Sequence, residues 1–187
     1  MATGVTAPYS RLLAAGLLAS AVASYTPADV RFMQGMIAHH AQAITMAAMA
    51  PIHGARADVR LLAEKIDVSQ KDEIAMMQRW LRDRHEMVPD PAADRMHHEM
   101  PGTATLMPGM LTPEQMAQLE AAKGTEFDRL FLTLMIQHHE GALTMVAQLF
   151  ASPGAGQEPE IFRFASDVDT DQRGEIARMR SMLTTLP

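Results

Sequence analysis

Residues 29–46, DVRFMQGMIAHHAQAITM, return at an offset of 99 as residues 128–145, DRLFLTLMIQHHEGALTM. Asp29, Phe32, Met36, Ile37, His39, His40, Ala43, Thr45 and Met46 are repeated as Asp128, Phe131, Met135, Ile136, His138, His139, Ala142, Thr144 and Met145. A second pair, residues 63–77 and 165–179, follows at an offset of 102 and shares Gln70/Gln172, Glu73/Glu175, Ile74/Ile176, Ala75/Ala177 and Met77/Met179. Internal repetition at this spacing restricts the fold to two similar units that bury their apolar faces together.

Each unit reads as a helical hairpin. Phe32, Met36, His40, Ala43 and Ala47 fall on one stripe of the first helix, and Ile66, Gln70, Glu73, Met77 and Leu81 on one stripe of the second. Thr26-Pro27-Ala28-Asp29 has the form of an N-cap with proline at the first helical position, and Pro51 and Gly54 end that helix. Thr112-Pro113-Glu114-Gln115 opens a short helix to about 123 in capping-box form, and Gly124-Thr125 separates it from a long helix ending at Phe150. A loop at 152–156 and a last helix to about Leu186 complete the second unit. These elements predict an all-α fold, an antiparallel four-helix bundle made of two hairpins, 26–85 and 113–187. The crossover between them, 86–112, is rich in proline and glycine and carries little regular structure. A pseudo-twofold axis would set the two His-His helices in comparable positions across the core.

The first 24 residues stand apart from the bundle domain, 25–187. Arg11, an apolar run from Leu12 to Ala23 and the ending Ala21-Val22-Ala23 fit a secretory signal, and the run is too short to span a bilayer. The expected location is extracytoplasmic, with a membrane link only through this segment if it stays uncleaved. A net charge of -6 offers no basic patch for nucleic acid. With no cysteine there is no disulfide, thiolate zinc site or iron–sulfur cluster.

Two adjacent histidines in an apolar helix need hydrogen-bond partners or a metal, because a buried unpaired polar group costs about 1–3 kcal/mol. Neighbours on a helix lie about 100° apart, so His39 and His40 belong to different stripes. Met36 and His40 share one ridge, His39 and Met46 the next, and Met135 with His139 and His138 with Met145 repeat the pattern. Thioether beside imidazole, without cysteine, points to copper, with Cu(I) favoured, or to silver. Glu73 and Glu175, assisted by Gln70 and Gln172, are placed to accept histidine N–H groups and fix the rings. In the crossover, Met96, His97, His98, Met100, Met107 and Met110 form a further candidate ligand set. The competing reading is a metal-free helical adaptor whose histidines and glutamates make a closed polar network, with the 17 methionines supplying adaptable apolar contacts. No Glu-x-x-His, His-Glu-x-x-His, Gly-x-Ser-x-Gly, P-loop or dinucleotide fingerprint occurs, so nothing calls for catalysis.

The doubled MIxHHxxAxxM, each copy followed by a QxxEIxxM-like segment, together with MPGMLT at 107–112, resembles the bacterial domain of unknown function 305 from about residue 26 to the end. The resemblance implies a ferritin-like bundle, export or membrane tethering, and kinship with periplasmic copper-binding proteins. It implies a copper role for Met36, His39, His40, Met46, Met135, His138, His139 and Met145; the expected function is to buffer, store or hand on Cu(I), with other copper-handling proteins as the expected partners. One departure breaks the symmetry: Gly174 and Arg178 stand where the first half has Asp72 and Met76.

Overall fold

The computed structural model describes residues 25–91 and 106–187. Among these residues the protein is all-α: α1 (Pro27–Met49), α2 (Ala57–Asp83), α3 (Pro113–Ala121), α4 (Thr125–Ala151) and α5 (Pro159–Leu183). The predicted starts of α1 and α3 are realised as capping boxes. The Thr26 hydroxyl accepts from Asp29 N–H at 3.3 Å while Thr26 N–H donates to the Asp29 carboxylate at 2.7 Å, and Thr112 with Gln115 repeats the exchange. The last helix stops three residues short of the expected end. There the Thr184 and Thr185 hydroxyls donate to the carbonyls of Ser181 and Met182, offering the chain a local alternative to the helical ladder.

The long helices pair as α1 with α2 and α4 with α5, and the two hairpins meet through α1 and α4. The repeat is written into this contact. Asp29, fully buried at the start of α1, accepts from Gly156 N–H in the loop of the other hairpin at 2.7 Å. Its counterpart Asp128 accepts from Arg56 N–H, in the loop of the first hairpin, at 3.1 and 3.3 Å. Each hairpin thus ties down the other's turn with the same residue, as a pseudo-twofold relation requires.

The core is in two parts. One cluster holds Ala43, Met46, Leu62, Ile66, Leu111, Phe127, Phe131 and Met135; the other holds Phe32, Met36, Ile37, Trp80, Ala142, Met145, Phe164 and Val168. On α1 the division falls between Ile37 and Ala43, and on α4 between Met135 and Ala142. Both gaps are occupied by the His-His pairs, so a polar layer interrupts an otherwise apolar interior.

Candidate metal centre

His39, His40, His138 and His139 are all completely buried. The two pairs meet where α1 crosses α4: the His39 and His138 rings lie 3.8 Å apart, centroid to centroid, at 39°. His40 and His139 turn away from this stack, their centroids 6.4 and 6.3 Å from those of the adjacent rings. The sequence reading that neighbouring histidines serve different stripes describes this geometry.

His40 Nε2 donates to Glu73 Oε2 on α2 at 2.5 Å, and His139 Nε2 to Glu175 Oε2 on α5 at 2.6 Å. Both glutamates reach in from the surface, with 24% of each side chain exposed. Removing either carboxylate strands a buried ring N–H, so Glu73→Ala and Glu175→Ala are each expected to lower stability by about 1–3 kcal/mol. Urea unfolding checks this, and the repeat requires the two losses to be similar.

The stacked pair is held differently. His39 Nε2 donates to the Pro108 carbonyl at 3.0 Å, in the segment Met107-Pro108-Gly109-Met110. That segment lies across both repeats, and each repeat receives it in its own way. Gln42, four residues from Ala38 along α1, grips Leu111 through both of its backbone groups, at 2.7 and 3.1 Å. The position equivalent to Gln42 in the second repeat is Gly141, and a Cβ there would fall 2.0 Å from the Pro108 carbonyl oxygen. Gly109 (φ +75°) completes the fit, since a side chain would strike the Gln137 carbonyl and the Gly141 backbone at 2.6 Å.

Desolvation dominates the electrostatics of the stack. Burial, followed by the neighbouring charge of His40, pushes His39 down to about 3, with the Pro108 carbonyl opposing. His138 is also pushed well down, first by burial and then by His39, His139 and His40, with the His39 backbone opposing. Both rings are neutral at pH 7. Nδ1 of His39, His40 and His139 and both ring nitrogens of His138 make no well-formed hydrogen bond, leaving five imidazole nitrogens without partners. His53 shows the contrast: it is buried too, but its Nδ1 donates to the Ala122 carbonyl at 2.8 Å and its ring stacks on Phe127.

The predicted methionines border this layer. Met36 and Met145 belong to one apolar cluster, Met46 and Met135 to the other, each no more than 8% exposed. Met107 comes in from the crossover, its sulfur and the Met145 methyl converging on Gly35 at 3.2 and 3.4 Å from where a Cβ would stand. Met110, three residues further on, is buried. The remaining crossover candidates, Met96, His97, His98 and Met100, lie outside the described residues. Among the described residues no three His, Asp or Glu side chains are arranged to hold one ion.

Gln70 and Gln172 do not bond the histidines as expected. Their Oε1 atoms are buried without partners, and with Glu73, Glu175 and Asp171 they line a surface pocket of about 360 Å³ between α2 and α5. The Asp171 carboxyl is pushed up by burial and by the charges of Glu73, Asp167 and Glu175. Sequence reasoning also missed Pro108, Gly109, Gln42 and Gly141; the available signal was a glycine directly after His139-Glu140 inside a helix that is otherwise core.

Fold and site together define a duplicated helical protein with a methionine-bordered histidine layer. The chain belongs to the family described as Domain of unknown function (DUF305), whose model matches residues 29–183. It is similar to a DUF305 fragment from Deinococcus radiodurans, with 32% identity, 87% of this chain and 99% of that one covered, and a TM-score of 0.71. A DUF305 protein from Streptomyces coelicolor, described as secreted, is 27% identical over 87% of this chain and 94% of that one, with a TM-score of 0.70. CopM in its Cu(II)-bound form is 25% identical over 83% and 95%, with a TM-score of 0.66. CopM has also been crystallised in Cu(I)-bound and Ag-bound forms. A comparison with curated proteins returns no match.

Proposed function

We propose that this protein binds Cu(I) outside the cytoplasm and buffers it, stores it or passes it to other copper-handling proteins. The observation that carries the reading is the set of five unpartnered nitrogens on four buried histidines. A closed polar network would leave none, since an unsatisfied buried polar atom costs about 1–3 kcal/mol. His40 and His139, bonded to glutamates, suit the adaptor reading; His138, with neither nitrogen satisfied, does not. The candidate donors are imidazoles, those of His39 and His138 held neutral by burial, with thioethers in the flanking apolar clusters, a soft set that fits Cu(I) or Ag(I) better than a hard cation. Met36, His39, His40, Met46, Met135, His138, His139 and Met145 are the residues we assign to the ion, with Met107 and Met110 of the crossover as further candidates. Residues 1–24 serve as the export signal, and the metal-bound forms of CopM and the secreted Streptomyces relative support both parts of the reading.

Anaerobic titration of residues 25–187 with Cu(I) against a chromophoric competitor is expected to give a whole-number stoichiometry. At a free concentration a hundredfold above Kd, Cu(I) stabilises the fold by about 2.7 kcal/mol. The quadruple variant His39→Ala, His40→Ala, His138→Ala, His139→Ala loses this binding. Because four cavities threaten folding, Met46→Leu with Met145→Leu, close in volume, provides the milder arm, with affinity reduced at least tenfold, roughly the loss of one modest contact. An intact chain that leaves Cu(I) with a weak competitor sinks the reading.

A further inference from the structure

A neutral imidazole offers one N–H and one lone pair, and the acceptor that takes the N–H decides which nitrogen keeps the lone pair. In the histidine layer that choice is made for three rings, each time in the same sense. Nε2 of His40 meets the Glu73 carboxylate at 2.5 Å, Nε2 of His139 the Glu175 carboxylate at 2.6 Å, and Nε2 of His39 the Pro108 carbonyl at 3.0 Å. Carboxylate and carbonyl oxygens only accept, so the proton of each ring sits on Nε2. Nδ1 of all three rings is buried and has no partner.

The acceptors come from α2, α5 and the crossover, so their agreement belongs to the layer and not to one contact. His53 is bonded in the opposite sense, through Nδ1 to the Ala122 carbonyl, and it packs on Phe127 outside the layer. His138 has no acceptor at either nitrogen. It is the repeat equivalent of His39, but the crossover gives its Pro108 carbonyl to His39, so the fold leaves the tautomer of His138 open.

On the metal-binding reading above, we infer that His39, His40 and His139 bind a soft monovalent cation through Nδ1 and not Nε2, with Glu73, Glu175 and the Pro108 carbonyl as the positioning groups that keep Nδ1 bare. A ring that binds through Nδ1 keeps its Nε2–H, so its bond to Glu73, Glu175 or Pro108 persists in the loaded chain. Binding through Nε2 would require that proton to leave and that bond to break.

Long-range proton–nitrogen NMR of the intact, isotopically labelled chain at neutral pH reads the tautomers directly, because bare and protonated ring nitrogens resonate far apart. Without metal, His39, His40 and His139 are expected to show a bare Nδ1 and a protonated Nε2, and His53 the reverse, as the internal standard. Titration with silver nitrate is expected to move the three Nδ1 signals and to leave the Nε2 protons in place. Glu73→Ala and Glu175→Ala are each expected to lower the Ag(I) affinity roughly 10- to 100-fold, and Glu73→Gln and Glu175→Gln, which keep an acceptor oxygen, to recover most of it. Alanine variants that lose stability but keep the parent tautomer and the parent Ag(I) affinity overturn the positioning role. A protonated Nδ1 in the metal-free chain at any of the three rings, or Ag(I) bound through Nε2, overturns the choice of atom while metal binding stands. A chain that takes up no Ag(I) overturns both.

Discussion

Gly141→Ala is expected to lower the stability of the chain by about 2–4 kcal/mol, a large loss for the addition of one methyl group. In an exposed helix the same change gains up to about 1 kcal/mol, because alanine gives up less backbone entropy than glycine. At residue 141 the new carbon would lie 2.0 Å from the Pro108 oxygen and 2.4 Å from its carbonyl carbon, and no rotamer of alanine avoids them. The segment has to lift. Overpacking of this kind costs about 1–3 kcal/mol, and lifting Pro108 also strips His39 Nε2 of its acceptor, a further cost of about 1–3 kcal/mol. Together these outweigh the helix gain and correspond to a fall in Tm of roughly 5–15 °C at this chain length. Gly174→Ala supplies the opposite sign from the same chemistry, since nothing stands within 4 Å of its Cβ. Thermal unfolding of the two variants side by side checks the argument, and a Gly141→Ala protein as stable as the parent would show that the crossover does not rest on α4.

The repeat made most of the fold legible. Two copies of a helical stripe, the first opened by a capping box and the second set off by Gly124 from the capped short helix before it, specify two hairpins, and the all-α architecture follows from them. The direction of His39 and His40 was equally readable, because the 100° step between neighbours is a property of the helix and not of its surroundings. What could not be read is what lies across from each ring. Glu73 and Glu175 were placed by periodicity, and their bonds to His40 and His139 follow from it. Pro108 meets His39 through a backbone carbonyl, a group every residue carries, so no residue type in the crossover announces it.

The asymmetry of the two halves was hidden for the same reason. Gln42 and Gly141 occupy equivalent positions and look like one more unmatched pair, yet the first draws the crossover in by hydrogen bonding and the second makes room for it. Asp29 and Asp128 do match, and read alone they are ordinary first-turn acids. Their function is to hold each other's hairpin loop, a relation visible only after the hairpins are set against one another. Repetition in sequence therefore marks what the halves share, and the departures from it mark where the one crossover has to be accommodated.

Acidification from pH 7 to pH 5 is expected to weaken the metal-free fold by several kcal/mol while leaving the affinity of the His39–His138 stack for Ag(I) nearly flat. His39 titrates near 3 in the folded chain and near 6.5 when unfolded. Between those values the unfolded chain binds a proton that the folded one refuses, so stability is full above about pH 6.5 and drains away as the pH falls towards 3. At pH 5 the difference of about 1.5 pH units amounts to about 2 kcal/mol for His39, and His138 adds to it with the same sign. The carboxyls of Asp128 and Asp171, pushed up by burial, work in the opposite direction but only towards the acid end of this window. The carboxyls of Asp58 and Asp169, held low by Arg56 and Arg173, act below it. Thermal melts at pH 7, 6 and 5 should therefore fall steeply in the parent and less in His138→Leu, whatever the absolute stability of that variant. Metal affinity behaves differently because a ligand must be free of its proton before it can bind. An imidazole titrating at 6.5 would lose about thirtyfold in affinity by pH 5, whereas one that titrates near 3 loses almost nothing. An Ag(I) affinity that drops thirtyfold over this range would mean that binding is governed by rings other than His39 and His138, and the assignment of the stacked pair as the controlling ligands would have to be abandoned.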